Sequence, residues 1–235
     1  MIELGERLTK VANFVPKDSK VCDVGSDHAY LLVYLIQNNK ITSAIAGEVV
    51  EGPFLSAKQT VRDYRMENQI EVRFGDGLQI LSKEDEVTAV TICGMGGELI
   101  SRILEAGYSG SHLNGRERLI LQPNVAEHFV REWLMNHSYQ IVEETVVSDN
   151  HRLYEIIVAE PSNEQVEYTE LELKYGPILL KEPSELSVAK WKRTNRKNKE
   201  ILVQLQKSKT PQHEKIKQFE KAFNELQGVI DRANS

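Results

Sequence analysis

The stretch Lys20-Val-Cys-Asp-Val-Gly-Ser-Asp-His-Ala-Tyr-Leu-Leu32 decides how the rest of the chain reads. Val21 to Val24 is a short apolar run of the kind that makes a buried strand, Gly25 breaks it, and Ala29 to Ile36 begins a helix. A strand, a tight glycine turn and a helix N-terminus form an anion- and nucleotide-binding corner in α/β proteins. The pattern here is Asp23-x-Gly25-x-x-x-Ala29, and Asp27 and Ala29 stand where a full Gly-x-Gly-x-x-Gly would place further glycines. Taken alone, the corner suits a plain strand–turn–helix as well as a cofactor site.

Upstream, Leu4, Leu8, Val11 and Val15 share one helical face, and Pro16 ends that helix. Downstream, the region Ile41 to Val50 reads as a second strand with Glu48 near its end, and Gly52-Pro53 opens a helix continued by Ala57, Val61 and Tyr64. Ile70 to Phe74 alternates as a third strand, Gly75-Asp76-Gly77 turns, and Leu78, Ile80 and Leu81 lead into a short helix. Val87 to Cys93 is a continuous apolar run, hence a buried parallel strand, closed by Gly94-Met95-Gly96-Gly97 before a helix from Glu98 to Ala106. Arg118 to Leu121 is a fifth strand, closed by Gln122-Pro123-Asn124, and the helix after it, Val125 to Asn136, is expected to turn Phe129, Trp133 and Leu134 inward. The last two strands, Tyr139 to Val147 and Arg152 to Ala159, are separated by Ser148 to His151 alone, too short for a crossover helix, so they must be antiparallel. The pattern predicts a doubly wound, mostly parallel, seven-stranded Rossmann-like α/β sheet over residues 1–160.

Residues 161–235 differ in character. Val188, Trp191, Asn195, Asn198, Leu202 and Leu205 recur at spacings of three and four, and Ile216, Phe219, Phe223, Leu226 and Ile230 repeat the pattern after Thr210-Pro211, which caps a new helix. An antiparallel helical hairpin or short coiled coil is expected. Between Lys181 and Lys209 nine basic and three acidic residues leave a local balance of +6, so the remainder carries −12 of a net charge of −6. An acidic body with a basic appendage suits a polyanionic partner, although basic helices are also often merely solvated.

The 235 residues are 40% hydrophobic and 27% charged, and no apolar run approaches the ~20 residues a membrane helix needs. The N-terminus has no basic-then-apolar signal peptide. Cys22 and Cys93 form no Cys-x-x-Cys pair and read as buried or pocket-edge thiols in a reducing cytoplasm; no metal site is expected.

Chemistry concentrates in four turns that follow parallel strands at their C-terminal ends, the edge along which doubly wound sheets bind ligands: Gly25 to Ala29, Glu48 to Gly52, Gly75 to Gly77 and Gly94 to Gly97. Glu48 can accept hydrogen bonds from a ribose diol, and Asp76 from an adenine amine. A nicotinamide dinucleotide and S-adenosylmethionine share this adenosine corner. The first turn lacks the glycine that admits a pyrophosphate, and Asp27 puts negative charge where a diphosphate would lie; a cationic sulfonium and amino group tolerate it. Methyl transfer is therefore preferred over hydride transfer.

The stretches Asp23-Val-Gly-Ser-Asp-His-Ala-Tyr-Leu31, Gly47-Glu-Val-Val-Glu-Gly-Pro-Phe54, Cys93-Gly-Met-Gly-Gly97 and Leu121-Gln-Pro-Asn124 resemble the motifs of the bacterial tRNA adenine-22 N1-methyltransferases, the TrmK family. The resemblance covers essentially the whole chain, basic tail included; Leu32 stands where the family often has proline. It implies a cytoplasmic enzyme that moves a methyl group from S-adenosylmethionine, leaving S-adenosylhomocysteine, to N1 of an adenine in the D-arm region of tRNA. The cofactor residues it implies are Asp23, Gly25, Ser26, Asp27, His28, Ala29, Tyr30, Glu48, Val49, Gly75, Asp76, Gly77, Cys93 and Gly94. Gly94, Met95, Gln122, Pro123 and Asn124 would position the adenine, with the amides of Gln122 and Asn124 reading its edge and no general base assigned. Tyr30 can supply the stacking aromatic or pack in the core, the commoner fate, and His28 can touch a ligand or simply satisfy its turn. Lys190, Lys192, Arg193, Arg196, Lys197 and Lys199 would meet tRNA phosphates. Two other readings of the fold stay open: a methyltransferase acting on another substrate, for which the tail is dispensable, and a non-catalytic interaction scaffold, which binds no cofactor.

Overall fold

A computed structural model describes residues 2–207 and 212–234; Thr210-Pro211, expected to cap a helix, lies outside the described residues. The chain divides into two compact units, Met1–Pro177 and Ile178–Ser235.

The first unit opens with helix α1 (Glu6–Phe14) and continues through β1 (Lys20–Val24), α2 (Tyr30–Gln37), β2 (Ser43–Glu48), α3 (Glu51–Asp63) and β3 (Ile70–Phe74). It then runs through β4 (Ala89–Met95), α4 (Gly97–Ser109), β5 (Arg118–Pro123), α5 (Glu127–Asn136), β6 (Tyr139–Asp149), β7 (Arg152–Pro161) and α6 (Glu170–Tyr175). The seven strands lie in the order β3-β2-β1-β4-β5-β7-β6, with the first five parallel and β7 antiparallel to both β5 and β6. The expected doubly wound sheet and its closing hairpin are both present. Strand order reverses between β1 and β4, which opens a crevice beyond their carboxyl ends.

Burial explains why these segments become strands. Val21, Cys22, Val24, Val90 and Ile92 are inaccessible or nearly so, as central strands covered by helices on both faces require. On β3, at the sheet edge, only Ile70 is buried, which fits its alternating sequence. In α2, Leu31, Leu32, Val33, Leu35 and Ile36 are all buried, so this helix is held by its core face rather than by any cap.

Two expectations need correction. The helix expected after Gly77 is a pair of 3-10 turns, Gly77–Ile80 and Lys83–Asp85, because only Leu78 and Leu81 reach the core there. Phe129, expected inward on α5, is exposed, whereas Trp133 and Leu134 are buried as expected. The first compact unit ends at Pro177.

One cluster in this unit has no counterpart in the sequence pattern. Arg131 of α5 is fully buried, its Nε donates to Glu144 Oε1 at 2.7 Å, and its Nη2 donates to Glu155 Oε2. Its Nη1 reaches the carbonyl of Leu173 at 3.3 Å, near the end of α6. Burial works against the guanidinium charge, and the Glu155 and Glu144 charges outweigh it, so the Arg131 pKa is raised.

In the second unit, α8 (Glu185–Gln206) and α9 (His213–Ala233) follow the short helix α7 (Pro177–Lys181) that spans the division. Asn195 Nδ2 donates to Gln227 Oε1 at 3.0 Å and Lys192 Nζ lies 3.5 Å from Asn234 Oδ1, so the two helices run antiparallel. Burial is concentrated where Trp191 and Asn195 stand on α8 and where Leu226, Val229 and Ile230 stand on α9. No described helix is long and apolar enough to cross a membrane.

Candidate active site

The turn after β1 is built against a conformational preference. Gly25 adopts φ +68, and a side chain there would meet the Met95 methyl at 2.3 Å. Asp27 and Ala29 are also left-handed, at φ 46 and 58. Such backbone costs residues with a Cβ on the order of 1–2 kcal/mol each. Neighbouring groups hold the turn in place. The backbone N–H groups of Gly25 and Ser26 donate to the Gly47 carbonyl, and the Asp27 N–H donates to Glu48 Oε1.

Two acids at adjacent strand ends are buried behind this turn. Asp23 Oδ1 accepts from the Thr91 hydroxyl at 2.6 Å and Oδ2 from the Ser26 hydroxyl at 2.7 Å. Burial raises the Asp23 pKa against the pull of those hydrogen bonds and of the Arg7 charge. Glu48 is 6% exposed, and burial raises its pKa too, with the Asp27 N–H opposing. Neither carboxylate has an ion-pair partner among the described residues. A pair of buried acids without an ion-pair partner among the described residues, behind a cavity, suits a ligand that carries positive charge and hydroxyl donors.

That cavity has a volume of about 370 Å³, and its walls include Asp23, Gly25, Ser26, Asp27, His28 and Tyr30 from the first turn. Cys93, Gly94 and Met95 from the end of β4 complete the facing side, with Arg7 and Leu8 from α1. Tyr30 is not core-packed: it is 44% exposed and stacks on the His28 ring, with centroids 5.0 Å apart and planes 14° from parallel. Cys93 is half-buried, and burial pushes its thiol pKa up, so it stays protonated. Asp76 and Gly77 line a separate cavity with Leu78, Leu99 and Ile103, whose apolar walls suit a flat heterocycle. Glu48 sits between the two regions, since its carbonyl accepts from Gly75 N at 2.9 Å. Val49 is exposed beside it.

The end of β4 carries a bulge. Cys93 pairs with Gln122 and Met95 with Pro123, which leaves Gly94 as the extra residue, at φ +80. Gln122, expected to read a base edge, is fully buried with both ends of its amide engaged. Its Oε1 accepts from Gly94 N at 3.1 Å and from Arg7 Nη1 at 2.5 Å, and its Nε2 donates to Pro123 O and Asn124 Oδ1. With its donors and acceptor occupied, Gln122 can shape the turn and has nothing left to offer a base. Asn124 is the exposed member: its Nδ2 donates to Gly94 O at 2.7 Å and keeps a second N–H free.

The six basic residues expected at tRNA all belong to the second unit, on α8. Lys192, Arg193, Arg196, Lys197 and Lys199 are exposed and Lys190 is half-buried. Thr91 and Arg7 were not anticipated. Arg7 stands 115 residues from Gln122, and no local pattern announces that pairing.

Comparison with known proteins decides the family. Residues 21–228 match the profile of the tRNA (adenine(22)-N(1))-methyltransferases, TrmK. The chain belongs to this family. Similar to it is the TrmK-family tRNA (adenine(22)-N(1))-methyltransferase of Bacillus subtilis, 40% identical over 98% of both chains. The crystal structure of B. subtilis TrmK superposes with a TM-score of 0.89, covering 98% of this chain and 100% of that one at 38% identity. TrmK of M. capricolum, solved with S-adenosyl-homocysteine, gives 0.84 at 27% identity, covering 97% and 98% of the two chains. A Streptococcus pneumoniae protein solved with S-adenosyl-L-methionine gives 0.88 at 39% identity, covering 98% and 100%.

Proposed function

We propose that this chain is an S-adenosylmethionine-dependent methyltransferase acting on N1 of adenine 22 in tRNA, in the cytoplasm. One observation carries the reading: two of the four family motifs, far apart in sequence, meet at one cavity at the topological switch point, a third holds the first turn through Gly47 and Glu48, and the fourth, at Gln122 to Asn124, buttresses the second. The residues present fit the donor, because Asp23 and Glu48 are buried acids without an ion-pair partner among the described residues. When bound, S-adenosylmethionine supplies a methyl group on a positively charged sulfur.

Glu48 would hold the ribose through its free carboxylate oxygen, and Asp76 with the Leu99 and Ile103 wall would take the adenine of the donor. Gly25, Ser26, Asp27, His28, Ala29, Val49, Gly75, Gly77 and Cys93 would shape the rest of that site. The acceptor nitrogen has an unshared pair and no proton to lose, so no general base is required. The work of the protein is alignment in a field that favours positive charge. Gly94, without a side chain at the bulge, would let the base approach the backbone, and the free N–H of Asn124 would read its edge. Met95, Pro123 and Gln122 would hold that turn. Adenine N1 lies on the Watson–Crick edge, so the base must leave any pair before it enters, and Tyr30, exposed and stacked on His28, is placed to receive its face.

We further propose that residues 161–235 serve tRNA binding, with Lys190, Lys192, Arg193, Arg196, Lys197 and Lys199 meeting phosphates. The test is incubation with labelled S-adenosylmethionine and unmodified tRNA, followed by digestion. Label is expected in 1-methyladenosine from position 22. No label in tRNA at any salt concentration would overturn the reading.

A further inference from the structure

Phe129, expected inward, stands outside, and the place where it does so is specific. The segment from Asn124 to Ala126 is laced onto the turn that closes β4. Asn124 N donates to the Met95 carbonyl at 2.7 Å, Asn124 Nδ2 to the Gly94 carbonyl at 2.7 Å, and Gly97 N to the Val125 carbonyl at 2.8 Å. A side chain on Gly97 would collide with the Ala126 carbonyl, and one on Gly96 would meet Val125 Cγ2 at 3.9 Å. Val125 is thus fixed beside the Gly94 bulge, and α5 starts there, with Ala126 as its N-cap.

Three side chains of this stretch are exposed. Val125 is 62% exposed and Phe129 37%, and the exposed His128 ring lies against the Phe129 ring with centroids 4.3 Å apart and planes 33° apart. Val130, Trp133 and Leu134 hold α5 to the core, so the packing of the helix does not depend on these three. Scattered apolar side chains are ordinary on a surface. An aliphatic side chain and two rings that follow directly on Asn124, at the turn where the base approaches, answer a need of the reaction. When an adenine leaves its stack, each neighbouring base is left with a flat face bared to water, and the unstacking is costly. Stacking that face on an aromatic side chain offsets the cost, and any base can do it, because every base has a π-face.

We propose that Val125, His128 and Phe129 form a platform on which the nucleotide next to the target adenine stacks once the adenine has turned out. The proposal rests on reading the Gly94–Gly97 turn as the acceptor site and adds the surface that steadies the gapped strand beside it. A Phe129 that merely covered α5 would act in the same way whether or not the neighbouring bases were present.

Methylation at saturating S-adenosylmethionine separates the two, with three synthetic unmodified tRNAs: one intact, one abasic at the nucleotide 5′ of the target, and one abasic at the nucleotide 3′ of it. Phe129→Ala should lower kcat/KM on the intact tRNA roughly 5–50-fold, the range expected for one lost base–aromatic stack. On one of the abasic tRNAs the wild type should itself be slowed, and Phe129→Ala should slow it further by less than about twofold, since the base that used the ring is gone. Phe129→Tyr, which keeps the ring, should restore the rate on the intact tRNA to within about threefold. An equal penalty on all three tRNAs, or no penalty on the intact one, overturns the platform. A wild type that methylates no tRNA overturns the acceptor site itself, a separate result. If Phe129→Ala does not fold, Phe129→Leu and Val125→Ala enter the same comparison under the same criteria.

Discussion

Two clusters of buried charge in the first unit are built on opposite terms. Arg131 lies between Glu144 and Glu155, so the acids there have a countercharge within hydrogen-bond reach. Asp23 and Glu48 are as deeply buried, yet they have only neutral hydroxyls and a backbone N–H for hydrogen-bond partners, and the Arg7 charge acts on Asp23 without forming an ion pair. The ionic cluster is complete in itself and ties α5, β6, β7 and the end of α6 together. The acid pair is incomplete: its carboxylates are costly to ionise until something positive or hydrogen-bond-donating arrives. Burial of charge is thus a structural device in one place and a binding device in the other.

The comparison is broken most readily at Arg131. Arg131→Met leaves two buried carboxylates facing an apolar side chain. The first unit should lose ~3–5 kcal/mol of stability, read from the urea midpoint, with donor affinity of the folded fraction unchanged within about threefold. A loss below about 1 kcal/mol would mean that the cluster does not depend on its arginine.

Glu48→Gln asks the converse question. The amide keeps an acceptor for the Asp27 N–H and removes a buried charge. Donor affinity should fall about 10–100-fold by calorimetry, while thermal stability at pH 8 should hold or rise. A drop in stability with unchanged affinity would move Glu48 from the binding class to the structural one.

The arrangement of strands was legible in the sequence, and the distinction between these two clusters was not. Val21–Val24 and Val87–Cys93 announce buried parallel strands by unbroken apolar runs, and the short Ser148–His151 link forces an antiparallel pair. Glu48 and Asp23 could be singled out because each stands at a strand end beside a glycine turn. Local patterns carry that much. Gln122 was misjudged because its neighbour across the sheet, the extra Gly94, exists only once β4 and β5 pair with a bulge. Arg7 and Arg131 were missed for the same reason, as their partners lie far off in sequence and nothing in the residues around them requires a partner. Tyr30 looked like a core aromatic because four of the next five residues are aliphatic, but its position at the helix start turns it outward onto His28.

Proton linkage sharpens the contrast further. Burial raises the pKa of Asp23 above its ordinary 3.8 and that of Glu48 above 4.5. In the window above those ordinary values and below the raised ones, the folded chain binds more protons than the unfolded chain. The acid pair's contribution to stability therefore falls as pH rises through that window. A cationic donor favours the ionised acids, so its affinity should rise over the same window, by about tenfold for each unit by which binding lowers a pKa. Glu48→Gln should flatten both profiles. Profiles identical to the wild type would show that Glu48 does not titrate in the range that matters.

The basic face of α8 provides a third term in the comparison, charge that stays in water. Lys197 and Lys199 are exposed, so neither desolvation nor a buried partner amplifies them. Their contribution to tRNA binding should come from release of counterions, and it should be small for each residue and steeply dependent on salt. Lys197→Gln with Lys199→Gln should weaken tRNA binding several-fold at low salt and lower the slope of log affinity against log salt by roughly 0.7–0.9 per residue removed. Donor affinity should not move, because these side chains belong to the second unit and the donor cavity to the first. The salt slope is the decisive reading. A residue that held the helix hairpin together would also weaken tRNA binding when replaced, but it would not change the number of counterions displaced in proportion to the charges lost. An unchanged slope would therefore remove Lys197 and Lys199 from the tRNA interface, whatever happened to the affinity.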